Sequence, residues 1–211
     1  MITLVAATRN KGKLAEFCRI LEHLPVRVVS QFDCCPDLEV EETGTTFAEN
    51  AYLKAAAICQ ATGEIAFADD SGLCIDALGG EPGVYTARYG ADVLGAHATD
   101  DDRMDLVLQK LQGVPWEKRT ARFVSVISCV FPDGTKLSCE GVCEGHIGFE
   151  KRGEGGFGYD PIFYVGEQQE ALSFAQMTAA QKDGLSHRGK AMALFEQQLA
   201  MKMQNTDSER R

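Results

Sequence analysis

The opening segment constrains the fold most. Residues 2–8 form a short, continuous apolar run, the pattern of a strand buried on both faces. Such a strand has to be covered on both sides. A basic, glycine-containing loop follows, Arg9-Asn10-Lys11-Gly12-Lys13, and then Leu14, Phe17, Cys18 and Leu21 recur at i, i+3, i+4 and i+7. That spacing is one stripe of an amphipathic helix. Pro25 stops it and Val26 to Val29 make a second strand. Strand, loop, helix, strand is an α/β opening.

The rest of the chain extends this pattern. Thr46 with Glu49 three residues on is a capping box, predicting a helix to about Thr62. Ile65-Ala66-Phe67-Ala68 reads as a short strand ending at Asp69-Asp70-Ser71-Gly72, with the apolar pattern resuming from Leu73 to Leu78. Gly79, Gly80 and the pair Pro82-Gly83 open a loop that runs through Gly90. Thr99 ahead of Asp100, Asp101 and Asp102 starts a helix, since carboxylates favour the positive end of the helix dipole. Ala121 to Phe131 and Lys136 to Gly148 are β-rich, joined by the turn Pro132-Asp133-Gly134. Pro161 to Val165 reads as one more strand and Ser186 opens a last helix. The expected fold is α/β, an elongated, mixed and twisted sheet with two lobes around a groove. Residues 1–204 form one domain and 205–211 a flexible polar tail.

Composition narrows the function. A net charge of −10 argues against nucleic-acid partners, which call for a basic face. No apolar run approaches the roughly 20 residues of a membrane helix, and the start has no basic leader, so the cytosol is the expected location and no membrane partner is expected. Against this acidity two basic clusters stand out, Arg9, Lys11 and Lys13, and Lys182, His187, Arg188 and Lys190. They are either solvated surface or two sides of a site for a small anion. The eight cysteines lack the paired spacing of a zinc site and read as reduced thiols.

Four segments carry polar groups in positions suited to ligands. The loop Thr8 to Lys13 sits between strand and helix, where free backbone N–H groups attract anions. It lacks the Walker A spacing. Asp69-Asp70-Ser71-Gly72 puts paired carboxylates after an apolar strand, able to hold a metal, activate a water, or simply form a turn. Glu41-Glu42 could add a metal ligand or be an acidic loop. Gly155 to Pro161 lets backbone approach a ligand closely, with Phe157 or Tyr159 placed to stack on a base. Lys182 and Arg188 could neutralise phosphate, and Arg188 could instead read a ring oxygen.

Taken in order, T-x-N-x-x-K at 8–13, E-E-T-G at 41–44, A-D-D-S-G-L at 68–73, G-G-x-P-G-V-Y-x-A-R-Y at 79–89, G-G-F-G-Y-D-P at 155–161 and S-H-R-G at 186–189 resemble the inosine triphosphate pyrophosphatase family. The resemblance runs from residue 2 to about residue 200. It implies that family's fold, a deep cleft between two lobes, and a homodimer. It implies Mg2+ held by Glu42 and Asp70, with Asp70 catalytic. Thr8, Arg9, Asn10, Lys11, Gly12, Lys13, Lys54, Ser71, Phe157, Gly158, Tyr159, Asp160, Lys182, His187 and Arg188 match substrate-binding positions. Arg9 falls in a variable slot.

The implied reaction converts ITP, dITP or XTP and water to the monophosphate and pyrophosphate. Lys13, Lys54 and Lys182 would stabilise the leaving group. Selectivity would come from donors awaiting the C6 oxygen of hypoxanthine or xanthine, with His187, Arg188 and backbone N–H groups near Phe157 as candidates. A pyrophosphatase for modified pyrimidine nucleotides and a catalytically silent nucleotide sensor are the alternatives.

Overall fold

The computed structural model describes residues 2–168 and 170–209, with side chains through residue 204. In chain order the elements are β1 (Ile2–Ala6), α1 (Lys11–Ile20), β2 (Val26–Ser30), α2 (Gln31–Cys34), α3 (Phe47–Thr62), β3 (Ile65–Ile75), α4 (Ala91–Leu94), α5 (Asp100–Lys110), β4 (Thr120–Val130), β5 (Lys136–Ile147), β6 (Phe163–Val165), β7 (Leu172–Ser173), α6 (Ala179–Leu185) and α7 (His187–Glu209). Short 3-10 turns join several of them. The expected tail begins inside α7, and Arg210 and Arg211 lie outside the described residues.

The strands form one sheet in the order β2-β1-β3-β4-β5-β6-β7. β1 pairs in parallel with β2 and β3, whereas β5–β6 and β6–β7 are antiparallel, so the sheet is mixed as expected. Parallel neighbours need covered crossovers. α1 and α3 supply them, and Leu4, Val5 and Ala6 of β1 are wholly buried in consequence.

The chain divides into two compact units. The first comprises Met1–Asp70, Ser125–Gly141 and His187–Arg211, the second Ser71–Val124 and Val142–Ser186. In the first, Leu4, Ala6, Phe17, Leu21 and Phe67 pack with Ala191, Met192, Phe195 and Leu199 of α7. Those four α7 residues recur at helical spacing, so one face of the helix is apolar. Val5, on the opposite face of β1, and Ala7, just beyond the strand, pack with Ala55, Ile58 and Cys59 of α3. In the second unit Leu73, Ile75, Met104, Val107, Phe123, Phe163 and Phe174 form a separate core, with Phe163 and Phe174 edge-on at 4.9 Å.

Several local signals act as expected. The capping box of Thr46 and Glu49 starts α3, which ends at Thr62 with Gly63 in the left-handed region. Thr99 caps α5 with Asp102 returning the bond. Thr178 and Gln181 form a further capping box ahead of α6.

One expectation is corrected. Asp69-Asp70-Ser71-Gly72 is neither a turn nor a strand end; β3 runs without interruption from Ile65 to Ile75 through it. Charged residues inside a strand usually argue against it. Here each carboxylate meets a cation, which removes the objection. No helix among the described residues is long and apolar enough to cross a membrane.

Candidate active site

β3 organises the first unit's polar residues, because successive side chains of a strand point to opposite faces. Asp69 and Asp70 therefore face different partners. Both are buried, at 1% and 7% exposure.

Asp69 meets residues from three distant segments. Its Oδ2 accepts from Lys13 Nζ at 2.8 Å and from Arg188 Nη2 and Nε at 3.0 and 3.3 Å. Its Oδ1 accepts from the Ser125 hydroxyl. Burial opposes ionisation, but Arg188 and Lys13 outweigh it and hold the Asp69 carboxyl well below the usual range. Arg188 also donates from Nη1 to Glu16 Oε2 at 2.6 Å.

Local structure explains these arrivals. Asn10 caps α1, its side chain accepting from Lys13 N at 3.0 Å, and Thr8 Oγ1 accepts from Asn10 N at 3.1 Å. The loop thus delivers Lys13 to Asp69 at a helix N-terminus. Burial lowers the Lys13 pKa below its ordinary value, partly offset by Asp69. At the other end, α7 begins against β5. A Cβ on Gly141 would lie 2.1 Å from His187 O, so only glycine admits this contact. His187 and Arg188 are both buried there.

Asp70 faces α3. Asn50 and Lys54 sit four residues apart on that helix and so share a face. Asn50 Nδ2 donates to Asp70 Oδ2 at 3.3 Å, while Asn50 Oδ1 accepts from Gly44 N at 2.8 Å. This ties the Glu41 to Gly44 loop to β3. The Lys54 ammonium then sits among three oxygens, Glu42 Oε1 at 2.8 Å, Asp70 Oδ1 at 2.9 Å and the Asp69 carbonyl at 3.1 Å. Burial raises the Asp70 pKa, with Lys54 opposing and Glu42 adding to the rise. For Lys54 burial acts downward, yet Asp70 and Glu42 raise its pKa overall.

Among the described residues no three His, Cys, Asp or Glu side chains gather as a metal cluster. Two carboxylates and a carbonyl already surround one cation, however. That all-oxygen set suits magnesium, which takes one or two protein carboxylates and completes its shell with water and substrate phosphate. The residues present fit the ion.

The second unit carries the other expected residues. Ser71 continues β3. Asp160 Oδ2 accepts from Phe157 N at 2.8 Å and from Lys182 Nζ at 2.7 Å. Lys182 lies 4.8 Å from the centre of the half-buried Phe157 ring. Gly158 N donates to Asp100 Oδ2 at 3.2 Å, at the N-terminus of α5.

Three expectations change. Tyr159 is not placed to stack on a base: it is 3% exposed, packed in the core, and its hydroxyl donates to Thr86 O at 3.0 Å. Of the backbone N–H groups near Phe157 expected to read a base, that of Phe157 already serves Asp160 within the turn and that of Gly158 serves Asp100 at the start of α5. Arg9 turns to exposed Glu39 and to Pro36 O, and Lys11 is exposed, so Lys13 is the cation of that loop that reaches the β3 carboxylates. Glu16, Asn50 and Ser125 were missed by sequence reading. For Asn50 a signal existed, its i, i+4 spacing from Lys54. Glu16 reads as one more polar residue of an amphipathic helix and Ser125 lies in an apolar stretch, so neither had one.

Known proteins resemble this chain over most of its length. The model of the Ham1 family matches residues 4–198. The chain is 44% identical over 201 residues to a dITP/XTP pyrophosphatase of Bacillus cereus, covering 94% of this chain and 95% of that protein. It is 48% identical over 193 residues to the dITP/XTP pyrophosphatase of Nitratidesulfovibrio vulgaris, covering 90% and 92%. The Staphylococcus aureus Ham1 protein structure superposes with a TM-score of 0.82 at 40% identity, covering 95% of this chain and 99% of that one. A HAM1 protein from Coxiella burnetii gives 0.83 at 39% identity, covering 95% and 100%. Pyrophosphatases of this kind generally need a divalent cation. On sequence and on structure alike, the chain belongs to the Ham1 family.

Proposed function

We propose that this protein hydrolyses non-canonical purine nucleoside triphosphates, ITP, dITP and XTP, to the nucleoside monophosphate and pyrophosphate. The names of its relatives support the substrate class. The observation that carries the chemistry is the convergence of Glu42, Asp70 and the Asp69 carbonyl on one cation position, on the face of α3 that holds Asn50 and Lys54.

Magnesium at Glu42 and Asp70 would supply Lewis-acid charge to phosphate oxygens when bound. Asp70 orients the attacking water and takes its proton as the oxygen bonds to the α-phosphorus. The bond from that phosphorus to the α–β bridging oxygen breaks and pyrophosphate leaves. Asn50 fixes the carboxylate that must accept the proton. Lys13, near the N-terminus of α1, and Lys54 neutralise phosphate charge, as does Lys182 in the second unit. Thr8, Asn10 and Gly12 serve the same phosphates through the loop.

For the base, Phe157 supplies the ring, and Ser71, Gly158, Asp160 and His187 complete the proposed substrate set. The Asp160–Lys182 pair holds the shape of the 157–160 turn. Arg188 acts in this reading through Asp69 and Glu16. The protein works as a cytoplasmic homodimer on a small-molecule substrate.

A product assay tests the reading. Purified protein with magnesium is given dITP, XTP, dATP and dGTP, and monophosphate, diphosphate, phosphate and pyrophosphate are separated. Monophosphate with pyrophosphate, strong for dITP and XTP alone, is the expected result. Release of single phosphates refutes the mechanism, and turnover of dATP or dGTP as fast as that of dITP refutes the substrate class.

A further inference from the structure

Lys54 stands where a metal ligand set converges. Its Nζ lies 2.8 Å from Glu42 Oε1, 2.9 Å from Asp70 Oδ1 and 3.1 Å from the Asp69 carbonyl. An ammonium is a compact cation that bonds through its protons at such distances. A magnesium ion takes the same oxygens at roughly 2.1 Å. Two cations cannot share that position, because both need the same space between the oxygens and their charges repel across a few ångströms.

We propose that Lys54 is the resident counter-ion of the Glu42–Asp70 pair, that a divalent cation must displace it, and that the triphosphate draws it away. This deepens the proposed function and rests on its metal assignment. The lysine comes from α3, and its flexible stem lets the ammonium exchange carboxylate oxygens for phosphate oxygens without moving the helix. Asn50 holds the other Asp70 oxygen meanwhile, so the carboxylate stays oriented during the exchange.

The exchange has a thermodynamic consequence. The protein without nucleotide holds divalent cations weakly, since binding must evict an ion-paired lysine. Nucleotide and cation bind cooperatively, each increasing the affinity for the other by the same factor. A phosphate-contacting lysine whose ammonium stood well away from the two carboxylates would leave cation affinity in the free protein nearly unaffected.

The test is Mn2+ binding followed by electron paramagnetic resonance, on the full chain without nucleotide and with an inosine triphosphate analogue bearing a methylene between the α- and β-phosphorus. Without nucleotide, Lys54→Met is expected to bind Mn2+ about tenfold more tightly than the wild type, as removal of an adjacent charge requires. Lys54→Arg, which keeps the charge, is expected to stay near the wild type. The analogue should tighten Mn2+ binding by a larger factor in the wild type than in Lys54→Met. Should Lys54→Met fail to fold, as judged by circular dichroism, Lys54→Gln replaces it. Equal or weaker Mn2+ binding in the charge-free variant overturns the proposal while leaving the metal assignment intact. If adding Glu42→Gln does not weaken Mn2+ binding, the ion is bound elsewhere and the metal assignment itself fails, taking the proposal with it.

Discussion

Arg188 forks onto a single oxygen of Asp69, with Nη2 at 3.0 Å and Nε at 3.3 Å, across 119 positions of sequence. Both side chains are almost wholly buried. Truncating one member of a buried charge pair leaves the other without compensation, which costs about 3–5 kcal/mol. Asp69→Ala is therefore expected to destabilise the protein by about that much, measured by urea unfolding at pH 7.

The same pair gives a pH dependence. Asp69 titrates below its ordinary value when folded, so its contribution is complete above the unfolded value of about 3.9 and is lost as pH falls through the folded one. The stability gap between the wild type and Asp69→Asn should stay flat from about pH 8 to about pH 5 and narrow below about pH 4. A gap that narrowed on raising the pH instead would show that the Asp69 charge is not what holds Arg188 and Lys13.

Asp70→Asn keeps the shape of the side chain, including an oxygen facing Lys54, and removes the proposed base. Turnover of dITP should fall by about 10²- to 10⁴-fold. Binding of a non-hydrolysable analogue, measured by calorimetry, should change far less. Unaltered turnover would remove Asp70 from the role of base.

In the proposed function Phe157 supplies the ring that stacks on the base. Phe157→Leu keeps the apolar volume and removes the aromatic face, whose stacking contributes about 1–3 kcal/mol per base. KM for dITP is expected to rise about tenfold or more with kcat largely kept, read from steady-state kinetics. Loss of kcat with KM unchanged would place the ring away from the base.

Gly156 and Gly158 separate space from backbone conformation. Both have positive φ, +74° and +62°. A Cβ on Gly156 would lie 1.9 Å from Asp160 Oδ2, whereas on Gly158 it meets nothing within 4 Å. Gly158→Ala should cost about 1–2 kcal/mol from the left-handed conformation. Gly156→Ala should cost more and disrupt the Asp160–Lys182 pair as well. Equal melting temperatures for the two variants would contradict this.

Much of the fold was legible because its signals are local. The capping box at Thr46, the acidic start of α5 and the turn at Pro132 each act within a few residues, and each produced the expected element. The apolar run of β1 likewise announced a strand covered on both sides. The misreading of Asp69 and Asp70 as a strand end has the same origin. Locally, two adjacent carboxylates and a glycine look like a turn, and the cations that make them acceptable inside β3 lie elsewhere in the chain.

By itself the sequence determined the α/β class, the helix starts and the order of the chemical motifs, since propensity, periodicity and capping are properties of neighbouring residues. Only the tertiary structure decided how the carboxylates divide the cations. Strand alternation turns Asp69 toward Lys13 and Arg188 and Asp70 toward Asn50 and Lys54. It also decided that Tyr159 belongs to the core while Phe157 keeps part of its surface. These outcomes depend on which distant side chains meet in a low-dielectric interior, where an ion pair or a hydrogen bond is made or lost by tenths of an ångström, and no local pattern encodes such distances.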